Sequence, residues 1–334
     1  MKFLLVGLGS MGKRRIRNLQ HLKAGELLGF DPRADRREES AARYGIETCA
    51  SFDNGMAWDP DAVIVSTPPD LHAHYALRAA RAGKHFFTEL NVVDTGLDEL
   101  IEFVEGTSLV AAPSCTWRHH PSVKSLKRLV DAQAVGPILY FSFHSGEYLP
   151  DWHPYEDYRT FYAAQRHQGG GRDIMAFHLN WLTWLFGPVV DVSCFKGKVS
   201  KLEIDIDDLY QCLMRFESGV TGTIVVDVVA RVATRLTRCY SDEGVIVWDH
   251  DLRCVRVWSA RDRIWTEHRE PELRTEPGYL FAEDPYTDEM RHFINAVRGE
   301  EKYGYTLAED REILRIVRAA ELSAERNAVV RVPA

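Results

Sequence analysis

The sequence has few cysteines, and their spacing assigns them no shared role. Six cysteines are scattered over 334 residues, and no two of them form a C-x-x-C pair. This distribution excludes zinc-finger spacing, and a disulfide framework is not expected in a chain of this size. His, Asp and Glu residues show no metal-ligand spacing along the chain either, so the sequence predicts no metal.

Long apolar runs and an excess of positive charge are also missing. No segment approaches the roughly 20 apolar residues that a transmembrane helix needs. The apolar run at residues 3–8 is too short for a signal peptide and leads directly into Lys13, Arg14 and Arg15. A net charge of -8 argues against a general affinity for nucleic acid or anionic membranes. We therefore expect a cytoplasmic globular protein with neither of these partners.

A glycine-rich loop near the start of the chain is the most informative motif. Gly7, Gly9 and Gly12 have G-x-G-x-x-G spacing and lie between a short apolar run and a stretch with helical apolar spacing. In that context Gly7 permits the tight turn, Gly9 lets phosphates approach, and Gly12 permits close helix packing. The helix start, with Ser10 and Met11, would offer amides to a dinucleotide pyrophosphate.

An acidic residue after the second apolar run supports the same prediction. Asp31 is placed where a carboxylate accepts both ribose hydroxyls of NAD and repels the extra phosphate of NADP. Arg33 and Arg36 follow closely and leave NADP open as an alternative. NAD is the predicted cofactor.

Two further apolar runs end where a parallel sheet has its ligand crevice. The first is followed by Thr67 and Pro68, and the second by Glu89. Because loops at the carboxyl ends of parallel strands line that crevice, we expect these residues to contact the cofactor or the substrate. His72, at the start of the next helical stretch, is predicted to pack near the cofactor.

The pattern changes in the second third of the chain. Residues 1–117 are predicted to form a Rossmann domain with a doubly wound parallel sheet, which makes the fold α/β. Residues 118–334 are predicted to form an α+β domain with a large, mostly antiparallel open sheet. Its predicted strands are residues 138–144, 189–195, 209–216, 220–229, 245–248 and 255–258. The last helix, at residues 307–326, is expected to pack back on the first domain.

This arrangement resembles the Gfo/Idh/MocA family of oxidoreductases over nearly the whole chain. The resemblance rests on residues 7–14, 66–72, 82–85, 117–121, 169–171 and 307–310. It implies hydride transfer between NAD(P) and a sugar or cyclitol hydroxyl, in homodimers or homotetramers that we expect to assemble through the C-terminal sheet. Residues 146–154 and 157–159 are similar to a narrower branch found in surface-polysaccharide and sugar-nucleotide pathways.

Two positions depart from the family pattern. The family has a lysine that contacts the reacting hydroxyl, and this chain has Leu90 there, which cannot donate a proton or stabilise an alkoxide. The family's catalytic histidine, four residues after the aspartate that Asp173 matches, corresponds to Phe177. His178 lies one residue further, roughly 100° around a helix, and would substitute only if the helix has shifted register.

Alcohol oxidation needs a base that takes the hydroxyl proton, and histidine suits that task near neutral pH. We predict His178 as this base and Asp173 as its orienting group or a substrate ligand. A surface or capped helix histidine is the alternative for His178, and a structural pair with Asp173 is the alternative for Arg172. The predicted substrate contacts are Glu89, Arg118, Tyr158, Arg159 and Arg172.

Three functions stay open at this point. The preferred one is an NAD-dependent oxidoreductase on a sugar-like or nucleotide-sugar substrate, with altered acid/base residues. The second is an enzyme that uses NAD to reduce an imine or enone, or transiently in an elimination or hydrolysis. The third is a non-catalytic dinucleotide-binding protein. The glycine loop and Asp31 favour the first two, whereas Leu90 moves weight away from the first.

Overall fold

The short apolar runs near the start of the chain form a parallel sheet. Its strands are β1 (Lys2–Val6), β2 (Glu26–Phe30), β3 (Glu47–Cys49), β4 (Ala62–Val65), β5 (His85–Thr88) and β6 (Ala111–Pro113). The strand order β3-β2-β1-β4-β5-β6, with parallel neighbours throughout, is that of a doubly wound dinucleotide-binding sheet. β4 is buried along its whole length, as expected of a strand covered on both faces.

The described part of the chain contains ten α-helices. They are α1 (Ser10–His21), α2 (Ala34–Tyr44), α3 (Phe52–Ala57), α4 (His72–Arg81), α5 (Leu97–Val104), α6 (Thr116–His119), α7 (Pro121–Asp131), α8 (Gly171–Phe186), α9 (Asp284–Val297) and α10 (Leu307–Arg326). Within the described part of the chain, none of them combines the length and the apolar character that crossing a membrane requires.

The structure is a computed structural model that describes residues 1–152, 157–277 and 281–333, and the chain divides into two units. The first unit contains Met1–Thr116 and Leu273–Arg311, and the second contains Trp117–Glu272 and Glu312–Ala334. Residues 273–311, which the sequence assigned to the second domain, thus belong to the first unit. The reason is hydrophobic: Met290 and Phe293 of α9 are buried in one cluster with side chains of the parallel sheet.

The second unit is built on a nine-stranded sheet. Its strands are β7 (Tyr140–Tyr148), β8 (Val189–Gly197), β9 (Leu209–Phe216), β10 (Thr221–Asp227), β11 (Val229–Ser241), β12 (Gly244–Asp249), β13 (Cys254–Ser259), β14 (Ile264–Arg269) and β15 (Val330–Arg331). They lie in the order β14-β13-β12-β11-β7-β10-β9-β8-β15. Neighbouring described strands are antiparallel except β7 and β10, which are parallel. The predicted fold class is confirmed.

Three strands of this sheet were not predicted: β11, β14 and the two-residue β15. The stretch predicted as one strand at 220–229 ends at Asp227, whose Oδ1 accepts hydrogen bonds from the amides of Val229 (2.9 Å) and Ala230 (2.8 Å). The chain turns there and continues as β11. β14 is an edge strand whose side chains are mostly exposed, so it carries no apolar alternation that sequence reasoning would detect.

Candidate functional site

The glycine loop joins β1 to α1, and close backbone contacts explain two of its glycines. Gly7 has φ +92°, and its amide donates to the carbonyl of Phe30 at 2.8 Å. A β-carbon on Gly7 would lie 2.5 Å from the carbonyl oxygen of Ser66, and one on Gly12 would lie 1.9 Å from that of Gly7. No side chain fits at either position. Gly9 is different, because the described atoms nearest to a β-carbon there belong to the Arg36 side chain.

The loop ends in a helix start that suits an anion. Gly9 is the residue before α1, and it supplies no side chain to cap the helix. Ser10 and Met11 occupy the first turn, which contains no acidic residue. First-turn amides have no carbonyl one turn earlier in the helix, and the helix dipole adds positive charge at this end. The segment therefore has the features that bind a pyrophosphate.

Asp31 lies directly after β2, against this loop. Its Oδ2 accepts the amide of Leu8 at 2.9 Å, its Oδ1 accepts the amide of Arg33 at 2.9 Å, and the side chain is almost fully buried. Nη1 of Arg36 lies 3.6 Å from Oδ2 of Asp31. The same guanidinium approaches Gly9, since a β-carbon there would lie 3.5 Å from it. A carboxylate and a cation thus stand beside the loop that would hold the nucleotide.

The loop after β4 is held by His72 at the start of α4. Nε2 of this buried histidine lies 2.9 Å from the carbonyl oxygen of Thr67, and Nδ1 lies 3.1 Å from Oδ1 of Asn91. Burial lowers the pKa of His72. Nδ2 of Asn91 in turn donates to Asp310 at 2.6 Å. His72 therefore fixes the Thr67-Pro68 loop against the segment after β5, which is a positioning role.

Glu89, predicted to touch cofactor and substrate, is engaged by a buried arginine. Nε and Nη2 of Arg15 each lie 2.7 Å from one of its carboxylate oxygens, and the Ser66 hydroxyl donates to Oε1 at 2.9 Å. Nη1 of Arg15 also lies 2.9 Å from Oε2 of Glu289. Arg15 and Glu289 are both fully buried, whereas Glu89 keeps 12% of its side chain exposed. The buried guanidinium of Arg15 thus fixes the orientation of the Glu89 carboxylate.

His178, the predicted base, is packed in an aromatic cluster on α8. Its Nδ1 accepts the indole N–H of Trp181 at 3.0 Å, and its ring centre lies 5.5 Å from Trp117 and 4.7 Å from Phe143. Only 1% of the residue is exposed. Burial lowers the pKa of His178 to about 3, so the imidazole is neutral and a poor proton acceptor. These surroundings weigh against His178 as the catalytic base.

Asp173, one turn earlier on α8, has the opposite character. Its half-buried carboxylate accepts a hydrogen bond from the Tyr162 hydroxyl at 2.9 Å. Burial raises the pKa of Asp173 to about 6. A general base is most effective when its pKa lies near the pH at which the enzyme operates. The neighbouring Arg172 forms an ion pair with Glu321.

The other predicted substrate contacts make bonds within the second unit. Nε and Nη2 of Arg118 donate to one backbone carbonyl of α8 at 3.2 and 2.9 Å. The Tyr158 hydroxyl accepts the Glu203 amide at 3.1 Å, and the exposed Arg159 pairs with Asp157 and Glu203. Residues 153 and 154 of the stretch similar to the narrower branch lie outside the described residues.

Comparison with known families assigns both parts of the chain. Residues 1–104 match the model described as oxidoreductase family, NAD-binding Rossmann fold. Residues 123–247 match the GFO/IDH/MocA C-terminal domain. The chain belongs to the Gfo/Idh/MocA family of oxidoreductases. The predicted family and NAD as the cofactor are confirmed.

Relatives of this family member share part of their length with it. A levoglucosan dehydrogenase from Pseudarthrobacter phenanthrenivorans is 26% identical over 246 residues, which cover 64% of this chain and 62% of that protein. Inositol 2-dehydrogenase 3 from Saccharopolyspora erythraea is 29% identical over 226 residues, which cover 64% and 63%. The chain thus matches less than two thirds of the length of these relatives.

Solved structures show how far the fold is shared. A structure of levoglucosan dehydrogenase in complex with NADH superposes with a TM-score of 0.86 at 21% identity, over 100% of this chain and 99% of that one. A myo-inositol 2-dehydrogenase from Lactobacillus plantarum gives 0.83 at 19% identity, over 100% and 99%. At this identity, the likeness extends to the fold.

The two departures from the family pattern have clear structural settings. Leu90, at the lysine position, is half-buried and lies between Glu89 and the buried Asn91. Phe177, at the histidine position, is half-buried with its ring centre 5.8 Å from that of Trp117. Both positions thus carry apolar side chains where the family resemblance implies polar ones.

Sequence reasoning missed two side chains that support the candidate residues. Arg15 is one of three consecutive basic residues after the glycine loop and looks like a surface charge, yet it is the buried partner of Glu89. Tyr162, the hydrogen-bond donor to Asp173, belongs to no motif. The helical spacing of Arg15 with buried Ile16 and Leu19 was a weak signal of its inward position.

Proposed function

We propose that this chain is an NAD-dependent dehydrogenase that acts on a hydroxyl or carbonyl carbon of a sugar-like or nucleotide-sugar substrate. The carrying observation is the dinucleotide loop, in which the close contacts of Gly7 and Gly12 and the carboxylate of Asp31 occur together. Relatives named levoglucosan dehydrogenase and inositol 2-dehydrogenase support a polyol substrate. The same names favour redox chemistry over non-catalytic binding of NAD.

We assign the proton transfer to Asp173. As an alcohol is oxidised, the carbon loses a hydride and the hydroxyl loses a proton, which leaves a carbonyl. NAD supplies the hydride acceptor, and the Asp173 carboxylate would take the proton. Its pKa of about 6 suits this step, and the Tyr162 hydroxyl holds one carboxylate oxygen in place. His178 is then a packing residue of α8.

The remaining candidates divide into supporting and contacting residues. Arg118 and Arg172 are buried and engaged by a backbone carbonyl and by Glu321, so we assign them structural roles. Arg159 and Tyr158 lie at the surface, where they would meet hydroxyls or an anionic group of the substrate. Glu89 would contact ligand through its exposed edge.

We also propose a homodimer or homotetramer that forms through the nine-stranded sheet. Several of its strands expose large apolar side chains, among them Tyr140, Phe195, Leu213 and Trp265. Leu213 of β9 is 61% exposed, although alternate residues of that strand are buried. A second copy of the sheet would cover such a surface. A cytoplasmic location and the absence of nucleic-acid and membrane partners stay predictions.

Two measurements test the proposed function in order. The nicotinamide fluorescence of NADH, titrated with purified protein, should change and saturate. Incubation with 4-deuterated NADH and a panel of keto sugars should then move deuterium to the substrate carbon. Either an absence of NADH binding or binding without deuterium transfer would contradict the proposed dehydrogenase.

A further inference from the structure

Three side chains that are distant in sequence converge in the second unit. His120 immediately precedes α7, His250 follows β12, and Glu270 follows β14. One ligand atom of each lies within 4.8 Å of the other two. Nδ1 of His120 lies 3.9 Å from Oε1 of Glu270. The sequence predicted no metal because this grouping exists only after folding.

The sheet explains why the three residues meet. β12 and β14 both pair antiparallel with β13, so they run in the same direction, and their carboxyl ends lie at the same end of the sheet. His250 and Glu270 follow those two ends directly. α7 packs on β12, β13 and β14, and His120, which precedes α7, lies at that same end of the sheet.

The imidazoles of this group have unmet bonding capacity. Nδ1 of His120 and Nδ1 of His250 are both buried, and neither has a hydrogen-bond partner among the described residues. The 3.9 Å between His120 and Glu270 is too long for a hydrogen bond. A buried polar atom without a hydrogen-bond partner destabilises the folded protein. Two buried imidazole nitrogens without partners, on histidines grouped with a carboxylate, point to a shared ligand that accepts lone pairs.

We propose that His120, His250 and Glu270 form a site for a divalent transition metal, with zinc the best match. Two imidazoles and one carboxylate are a common protein ligand set for zinc, with water in the fourth position. Bonds of about 2.1 Å put tetrahedral donor atoms about 3.4 Å apart. The side chains would therefore move inward by about 1 Å on binding.

Nearby charge sets how tightly this site binds. Nε of Arg253 lies 3.8 Å from Oε2 of Glu270, and this side chain is 48% exposed, so it can turn outward when a cation enters. Buried Arg235 is ion-paired with Glu147, which compensates its charge. The Ser122 hydroxyl donates to Glu270 and orients the carboxylate. Arg253 is thus the cation that a metal would displace from Glu270.

Metal titration of the untagged full-length protein, stripped with chelator, tests the site. Calorimetry with Zn²⁺ should give one equivalent per chain, and Co²⁺ should give visible d–d absorption bands. His250→Gln and Glu270→Gln should each weaken binding at least about tenfold, because each removes a ligand. His167→Gln, at an exposed histidine, should bind like wild type. Absence of stoichiometric binding, or unchanged binding in both ligand variants, overturns the proposal.

A second variant keeps the test valid if the ligand variants do not fold. Arg253 has φ +49°, a conformation that asparagine tolerates, so Arg253→Asn removes the competing charge with little backbone strain. It should tighten zinc binding several-fold, and unchanged or weaker binding contradicts the proposed site. Cys194 and Cys212, whose sulfur atoms are 3.1 Å apart, are a competing site. A sulfur-to-cobalt charge-transfer band would assign the metal to them and overturn the proposal.

Discussion

The Asp31 carboxylate accepts a hydrogen bond from the Leu8 amide at 2.9 Å, which ties the end of β2 to the middle of the glycine loop. The bond fixes one oxygen of the carboxylate relative to the residues that would face the pyrophosphate. Asp31 lies directly after β2, which is where the ribose hydroxyls of NAD are bound in folds of this type. The Asp31 side chain therefore holds the loop in place and, in our proposal, binds the ribose hydroxyls of NAD.

Replacing this carboxylate should weaken NADH binding. Asp31→Ser removes an ionised acceptor, and a hydrogen bond to a charged group contributes about 1.5–3 kcal/mol. We expect the dissociation constant for NADH to rise about 10–100-fold in a fluorescence titration. Asp35→Ser is the matched control, because Asp35 is exposed and its ion pair is with the exposed Arg33. Equal affinity of both variants would show that Asp31 does not contact the cofactor.

The Arg15 network should be a major source of stability. Arg15→Met leaves Glu89 and the fully buried Glu289 without their shared cation, which costs about 3–5 kcal/mol for a buried pair. Lys13→Met is the control, because its ion pair with Glu39 lies at the surface and contributes about 0–1 kcal/mol. Urea denaturation should separate the two variants. Similar free energies of unfolding would mean that the network contributes little.

These two cases show what the sequence could and could not predict. Gly7, Gly12 and Asp31 act through contacts that a local strand-loop-helix pattern implies, so their place was predictable. Arg15 turns inward to meet Glu89 and Glu289, which follow it by 74 and 274 residues, and no local pattern contains that information.

The same limit applies to the second unit. α8 begins at Gly171 and ends at Phe186. Which face of the helix is buried depends on Trp117 and Phe143 from other elements. The sequence does not contain that packing. It buries His178 and lowers its pKa, whereas Asp173 stays half-buried and has a raised pKa.

Activity should depend on pH through Asp173. The carboxylate form accepts the proton, so kcat/KM for alcohol oxidation should rise as pH increases through about 6 and then level off. Asp173→Asn should abolish this dependence and lower kcat by about 10²–10⁴-fold, the usual contribution of general base catalysis. His178→Gln should keep the profile near pH 6. If His178→Gln alone removed it, the base would be His178, as the sequence predicted.

The free energy of unfolding should also depend on the ionisation of Asp173, but it should fall as pH rises, whereas activity increases. Because burial raises the pKa of Asp173 in the folded state, folding favours the protonated form, and this contribution is lost as pH rises from about 4 to 6. Asp173→Asn should therefore be more stable than wild type at pH 7, by up to about 3 kcal/mol, and similar to it at pH 4. Asp157→Asn, at an exposed carboxylate, should not show this gain in denaturation experiments. Equal stability at both pH values would contradict the raised pKa.

Leu90 is half-buried next to Glu89, at the position where the family resemblance implies a lysine that contacts the reacting hydroxyl. Leu90→Lys would place an ammonium group where an alkoxide develops, and such stabilisation contributes about 10²–10³ in kcat. We expect faster oxidation of polyols such as inositols, measured as NADH formation. Leu90→Met, similar in size and uncharged, should show no gain. If lysine slows the reaction more than methionine does, the substrate requires an apolar contact here, and Leu90 is a specificity residue rather than the loss of a catalytic one.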